Sequence, residues 1–197
     1  MRNAEYYEAL KKLAREKREF YNVNTLAFGI REAKAVFKAE KVRIDYWPLP
    51  WKIKALYMCE DGDCSVAIQK NLPDEPKLFA LIHELKHHYC DRESMINEII
   101  SCGDYNANEL TEIGAEMFAA EFIFPEADFA DHIKSLGIVN WKESNVVHLK
   151  RNCRAKISYT YICKRLEHLG LISPGQFKSV QFKKLEEQMF GVPFYRR

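Results

Sequence analysis

The chain has 197 residues, 47% of them hydrophobic and 29% charged, with a formal net charge of +2. These proportions exclude a disordered or fibrous chain and suit one compact domain, or one domain with a small appendage. No apolar run approaches the roughly 18 residues that cross a bilayer, and residues 1–20 carry charges where a secretion signal would be apolar, so a cytoplasmic protein with no membrane contact is expected.

Residues 3–20 are rich in Ala, Glu, Lys, Arg and Leu without Gly or Pro, and 24–39 repeat that character after the polar break Asn22 to Asn24. Two helices are predicted, forming an N-terminal extension over 1–40. Val42, Ile44 and Tyr46 then alternate with Arg43 and Asp45 until Pro48 and Pro50, the period of a strand. Residues 54–59 and 64–69 flank Glu60-Asp61-Gly62-Asp63, whose Asp-Gly pair signals a hairpin. From Pro76 the pattern turns helical through Leu78, Phe79, Leu81, Ile82 and Leu85 to Tyr89. Further helices are predicted over 96–101, closed by Gly103; over 109–124, stopped by Pro125; and over 126–136, ending at Gly137. Ser144 is placed to cap a helix to Asn152 and Ser158 another to His168, and a last helix fits 174–190.

The expected architecture is α+β: a small three-stranded sheet with a hairpin, packed on the helix at 76–89 and followed by a mostly helical half. A first domain over 1–140 and a C-terminal segment over 141–197 are expected. That segment resembles a helix-turn-helix, with Tyr159, Ile162, Leu166 and Leu169 on one helical face and Lys164 and Arg165 off it. Charge divides along the chain in a related way. Residues 1–40 carry 9 basic and 6 acidic side chains, 41–147 carry 10 and 19, and 148–197 carry 11 and 3. The basic end suits DNA or an acidic partner, or neutralises the acidic body; a platform that packs on the core or receives a protein substrate is preferred to DNA binding. The six cysteines, Cys59, Cys64, Cys90, Cys102, Cys153 and Cys163, show neither a disulfide framework nor a CxxC pair. They are read as reduced thiols and not as a second metal site.

The chemistry concentrates in His83-Glu84-Leu85-Lys86-His87, an HExxH sequence inside a predicted helix. Residues four apart on a helix lie about 40° apart around the axis and one turn along it, so His83 and His87 can reach one ion. Glu84 then stands close enough to take a proton from a water activated by that ion. An ordinary amphipathic helix explains Leu81, Ile82 and Leu85 but not three histidines within 83–88. A catalytic zinc needs a third ligand. The metzincin extension would put glycine at 90 and histidine at 93, where this chain has Cys90 and Glu93. Among downstream acids Glu112 stands out, because it opens a helix whose face continues with Ala115, Glu116 and Ala119, small enough for close approach. Glu116, one turn on, is a candidate to hydrogen-bond the outer nitrogen of a ligand histidine, with Asp91 and Glu109 as rivals.

Together, His83 to His87 and the later run Glu112-Ile113-Gly114-Ala115-Glu116-Met117-Phe118-Ala119-Ala120-Glu121-Phe122-Ile123-Phe124-Pro125 resemble the ImmA/IrrE family of metallopeptidases, over roughly residues 40–172. The resemblance implies zinc held by His83, His87 and Glu112, with Glu84 as general base, the same residues the spacing selects. It also implies a substrate class: a helix-turn-helix repressor of the phage or xenobiotic-response type, cut to relieve repression of a mobile element or stress response. Two departures stand out. Gly114 replaces a helix-favouring residue at a cost of about 1 kcal/mol against Ala, and Glu116 stands where the family has Asn or Asp. The expected function is therefore a zinc endopeptidase of restricted specificity. Mn2+ or Fe2+ would suit the same ligand types, and Tyr57, His88, Tyr89 and Tyr105 are candidate oxyanion donors. The competing expectation is a regulator that binds a repressor or DNA around a structural metal and cuts nothing.

Overall fold

The computed structural model describes residues 2–23, 26–50, 52–92 and 105–191, so the helix expected at 96–101 lies outside the described residues. In chain order the elements are α1 (Arg2–Phe20), α2 (Ile30–Ala39), β1 (Val42–Trp47), β2 (Ala55–Glu60), β3 (Asp63–Gln69), α3 (Asp74–Cys90), α4 (Tyr105–Ile123), α5 (Glu126–Leu136), α6 (Glu143–Asn152), α7 (Tyr159–His168) and α8 (Phe182–Phe190). The fold is the α+β architecture expected. No helix among the described residues is long and apolar enough to cross a membrane.

The sheet runs β1-β3-β2. β2 and β3 form the antiparallel hairpin, from Ala55 opposite Ile68 to Glu60 opposite Asp63. Asp61 (φ 48°) and Gly62 (φ 86°) both lie in the left-handed region, the conformation of the tight turn that matches strand twist. β1 adds to the other side of β3 in parallel, with Val42 opposite Cys64 and Trp47 opposite Gln69. The central strand is accordingly the most buried, Cys64 to Ile68 being closed to solvent. Cys59 and Cys64 face each other across the hairpin and are joined in a disulfide, which corrects the expectation that all six cysteines are free thiols. The hairpin expected from Asp61-Gly62 already sets these two residues at the facing ends of its strands, and the register confirms it; what misled was the absence of a CxxC pair or a wider disulfide framework. Cys90, Cys153 and Cys163 are free.

α3 packs against β2 and β3, and α4 lies along α3. Every residue of α3 from Ala80 to His88 is buried. This is a helix enclosed on all sides, not one with a solvated face, and its polar residues must therefore find partners inside the protein. It begins at Asp74, two residues before the expected Pro76. Asp74 and Glu75 lie in the first turn, where the helix dipole favours acids, and Pro76 lacks only an N–H that the first turn leaves unpaired.

α1 packs along α4, on the helix that carries Glu112. A Cβ at Gly114 would come within 2.7 Å of Leu10 Cδ1 and 2.9 Å of the Tyr6 ring, so glycine is what permits this approach. The contact is fastened by Arg15, which pairs with buried Glu121 at 2.8 Å, and by buried Arg18, whose guanidinium donates to the Phe122 carbonyl.

The chain divides into two compact units, Met1–Pro125 and Glu126–Arg197, so α5, expected with the first 140 residues, groups with the helices after it. Within the second unit α6 packs on α7 and α8, around Val146, Val147, Leu149, Ile162 and Leu166. Ser158 caps α7 as expected, its hydroxyl accepting from Tyr161 N–H at 3.1 Å. α6 starts two residues earlier than a Ser144 cap implied: Lys142 is the N-cap, and Asn145 reaches back to accept from its N–H at 2.8 Å. Residues 174–179 form turns, and the last helix covers only Phe182–Phe190.

Candidate metal centre

α3 and α4 bring His83, His87 and Glu112 together: one ligand atom from each lies within 4.8 Å of the others, and all three residues are buried. The i, i+4 spacing on α3 brings the two imidazoles edge to face, with ring centroids 5.1 Å apart. Glu112, about two turns into α4, which begins four residues before the expected 109, closes the group. Its Oε2 lies 3.2 Å from His83 Nε2 and its Oε1 lies 3.5 Å from His87 Nε2. Burial pushes the Glu112 carboxyl up, but the hydrogen bond and charge of His83, with His87 and Lys86 nearby, outweigh it and hold the carboxyl below its ordinary range.

The outer nitrogen of His87 is fixed by Asp91. Its Oδ2 accepts from Nδ1 at 2.7 Å and also from Lys86 Nζ at 2.7 Å. Burial raises the Asp91 pKa, and these hydrogen bonds overcome that and lower it, so Asp91 is a carboxylate and Nδ1 carries the ring proton. The lone pair of His87 is then on Nε2, aimed at Glu112 Oε1. Both atoms are buried and neither has a hydrogen-bond partner. Two acceptors facing one another at 3.5 Å away from water are unfavourable unless a positive charge lies between them. Two imidazole nitrogens and a carboxylate are a donor set suited to a divalent transition ion. The residues fit a metal.

Glu84 follows His83 on the adjoining face and is only 1% exposed, a carboxylate enclosed beside the ligand group. Glu116 lies one turn after Glu112 on α4 and is half-buried; at His87 the hydrogen bond to the outer nitrogen comes from its sequence rival Asp91. Glu109 is exposed. Of the expected oxyanion donors, Tyr57 and His88 are hydrogen-bonded to each other, hydroxyl to Nδ1 at 2.9 Å, and burial raises the phenol pKa and lowers that of the imidazole. Tyr89 packs under the Lys17 ammonium, 3.9 Å from its ring centre, and the Tyr105 side chain lies outside the described residues. Sequence reasoning missed Lys86. A lysine between the two histidines of the motif reads as a solvated charge, and only the enclosure of α3 shows it to be fully buried.

No curated protein matches the chain. Residues 37–167, from the end of α2 to the last turn of α7, match the profile of the M78 peptidases described as the IrrE N-terminal-like domain, and the chain belongs to that family of metallopeptidases.

Proposed function

We propose that this protein is a zinc-dependent endopeptidase of restricted specificity, working in the cytoplasm, whose substrate is a helix-turn-helix transcriptional repressor. The observation that carries the chemistry is the buried facing of His87 Nε2 and Glu112 Oε1, with His83 Nε2 beside them and enclosed Glu84 next in sequence to His83. The substrate class rests on the resemblance of the two motifs to the ImmA/IrrE family.

His83, His87 and Glu112 would hold the ion, leaving a fourth position open for water. When bound, zinc supplies Lewis-acid activation of that water and of the scissile carbonyl. Glu84 accepts the proton of the attacking water and passes it to the departing amine, so one carboxylate serves as base and then as acid. Its burial strengthens its interaction with charge developing at the reacting atoms, because the local dielectric is low. Asp91 keeps the His87 proton on Nδ1, so that Nε2 presents its lone pair.

Glu84→Gln tests this reading. The amide keeps the shape of the side chain but cannot take a proton, so repressor cleavage should fall by at least about 10²-fold while metal content and repressor binding stay near wild type. Induction of the regulated genes by the Glu84→Gln protein would instead establish a regulator that binds its partner without cutting it.

A further inference from the structure

Lys86 is the one charged residue of the HExxH stretch for which the proposed chemistry has no use, and its side chain is 0% exposed. Enclosing an ammonium is costly unless it is paired, and an apolar residue at this point of α3 would carry no such cost. The ammonium makes its closest contact, 2.7 Å, with Asp91 Oδ2, the same oxygen that accepts from His87 Nδ1 at 2.7 Å. It also donates to the Thr111 carbonyl of α4 at 3.3 Å and lies 5.9 Å from the centre of the Tyr6 ring of α1. Three elements thus define where the charge sits.

Asp91 is in turn poorly placed by itself. It is the C-cap of α3, where the helix dipole presents its negative end and disfavours a carboxylate. Its side chain is 14% exposed, which leaves it a route toward water. A cation beside it offsets both tendencies. We propose that Lys86 is a positioning residue, which holds the Asp91 carboxylate on His87 Nδ1 and so keeps His87 Nε2 aimed at Glu112. The chain acts as a relay: Lys86 pins Asp91, Asp91 fixes the tautomer and rotation of His87, and His87 meets the ion. The proposal rests on the metal-site reading above and extends it to a residue that touches neither metal nor substrate.

The test is a double-mutant cycle read by metal affinity rather than by peptidase activity. Wild type, Lys86→Met, Asp91→Asn and the double variant would be stripped of metal, checked for wild-type helical circular dichroism, and titrated with zinc against a chromophoric chelator. Loss of a hydrogen-bonding partner behind a ligand histidine weakens metal binding about 10- to 100-fold. Lys86→Met should fall in that range, Asp91→Asn should fall in it too, and the double variant should bind no more weakly than Asp91→Asn, because the lysine acts only through the aspartate. Where Lys86→Met does not fold, Lys86→Gln serves, an uncharged side chain of similar reach. Zinc affinity unchanged in folded Lys86→Met or Lys86→Gln would overturn the proposal, as would losses that multiply in the double variant. Failure of the folded wild type to bind zinc would be a different result, which removes the metal site itself and the relay with it.

Discussion

Gly114 decides how closely α1 approaches the helix that carries Glu112. Alanine has the higher helix propensity by about 1 kcal/mol, and on local grounds the substitution should stabilise α4. The packing opposes it: a new Cβ would stand 2.7 Å from buried Leu10 and 2.9 Å from Tyr6, and both must move. Overpacking of this kind costs about 1–3 kcal/mol. Gly114→Ala should therefore unfold at lower urea concentration than wild type, by about 1 kcal/mol net, and equal or greater stability would show that α1 yields freely. The same residue illustrates what a sequence can and cannot show. The spacing of His83 and His87 and the alanine-rich face behind Glu112 are local patterns, and their convergence was legible. Glycine at 114 read as a costly departure, Asp91 stood only as a rival to Glu116, and Lys86 drew no reading at all. Each depends on which helix lies alongside, and periodicity within one helix carries no such information.

At the scale of elements, the hairpin and most of the helices among the described residues followed from caps, breakers and periodicity, whereas the parallel pairing of β1 with β3 did not. Nothing in residues 42–47 records that their partner lies beyond an intervening strand. The expected helix at 174–190 failed in its first half, because Pro174-Gly175 makes a turn and the helix starts only at Phe182. The joint between α1, α2 and α3 was equally hidden. Glu40, the C-cap of α2, is 3.4 Å from the Lys17 ammonium of α1 and 3.8 Å from His88 Nε2 of α3, and it accepts the Tyr21 hydroxyl. Burial raises the Glu40 pKa, but the hydrogen bond from Tyr21 and the charge of Lys17, among other polar neighbours, outweigh it, so the folded pKa lies below the unfolded value of about 4.3. A carboxyl depressed in the folded state contributes stability that is complete above its unfolded pKa and is lost as pH falls through its folded pKa. Glu40→Gln should therefore lower Tm at pH 7 and flatten the fall of Tm between pH 5 and about pH 3. Parallel Tm curves for variant and wild type would contradict the depressed carboxyl.

For the whole molecule, the family match begins at residue 37, and α1 lies outside it. Yet α1 packs on α4, seats Arg18 on the Phe122 carbonyl and faces Lys86 with Tyr6, so the extension reaches the elements that hold the candidate site. The Cys59–Cys64 disulfide ties the two strands of the hairpin and takes no part in the ligand group, which has two nitrogens and an oxygen as donors. Mechanism, relay and family membership all meet in the claim that His83, His87 and Glu112 hold one ion. The most direct measurement is elemental analysis of zinc per folded chain, in wild type and in Glu112→Ala, after identical loading and desalting. One zinc per wild-type chain, lost or far below stoichiometric in a Glu112→Ala protein of unchanged secondary structure, is the predicted result. A full zinc in the variant, or none in the folded wild type, would contradict the account.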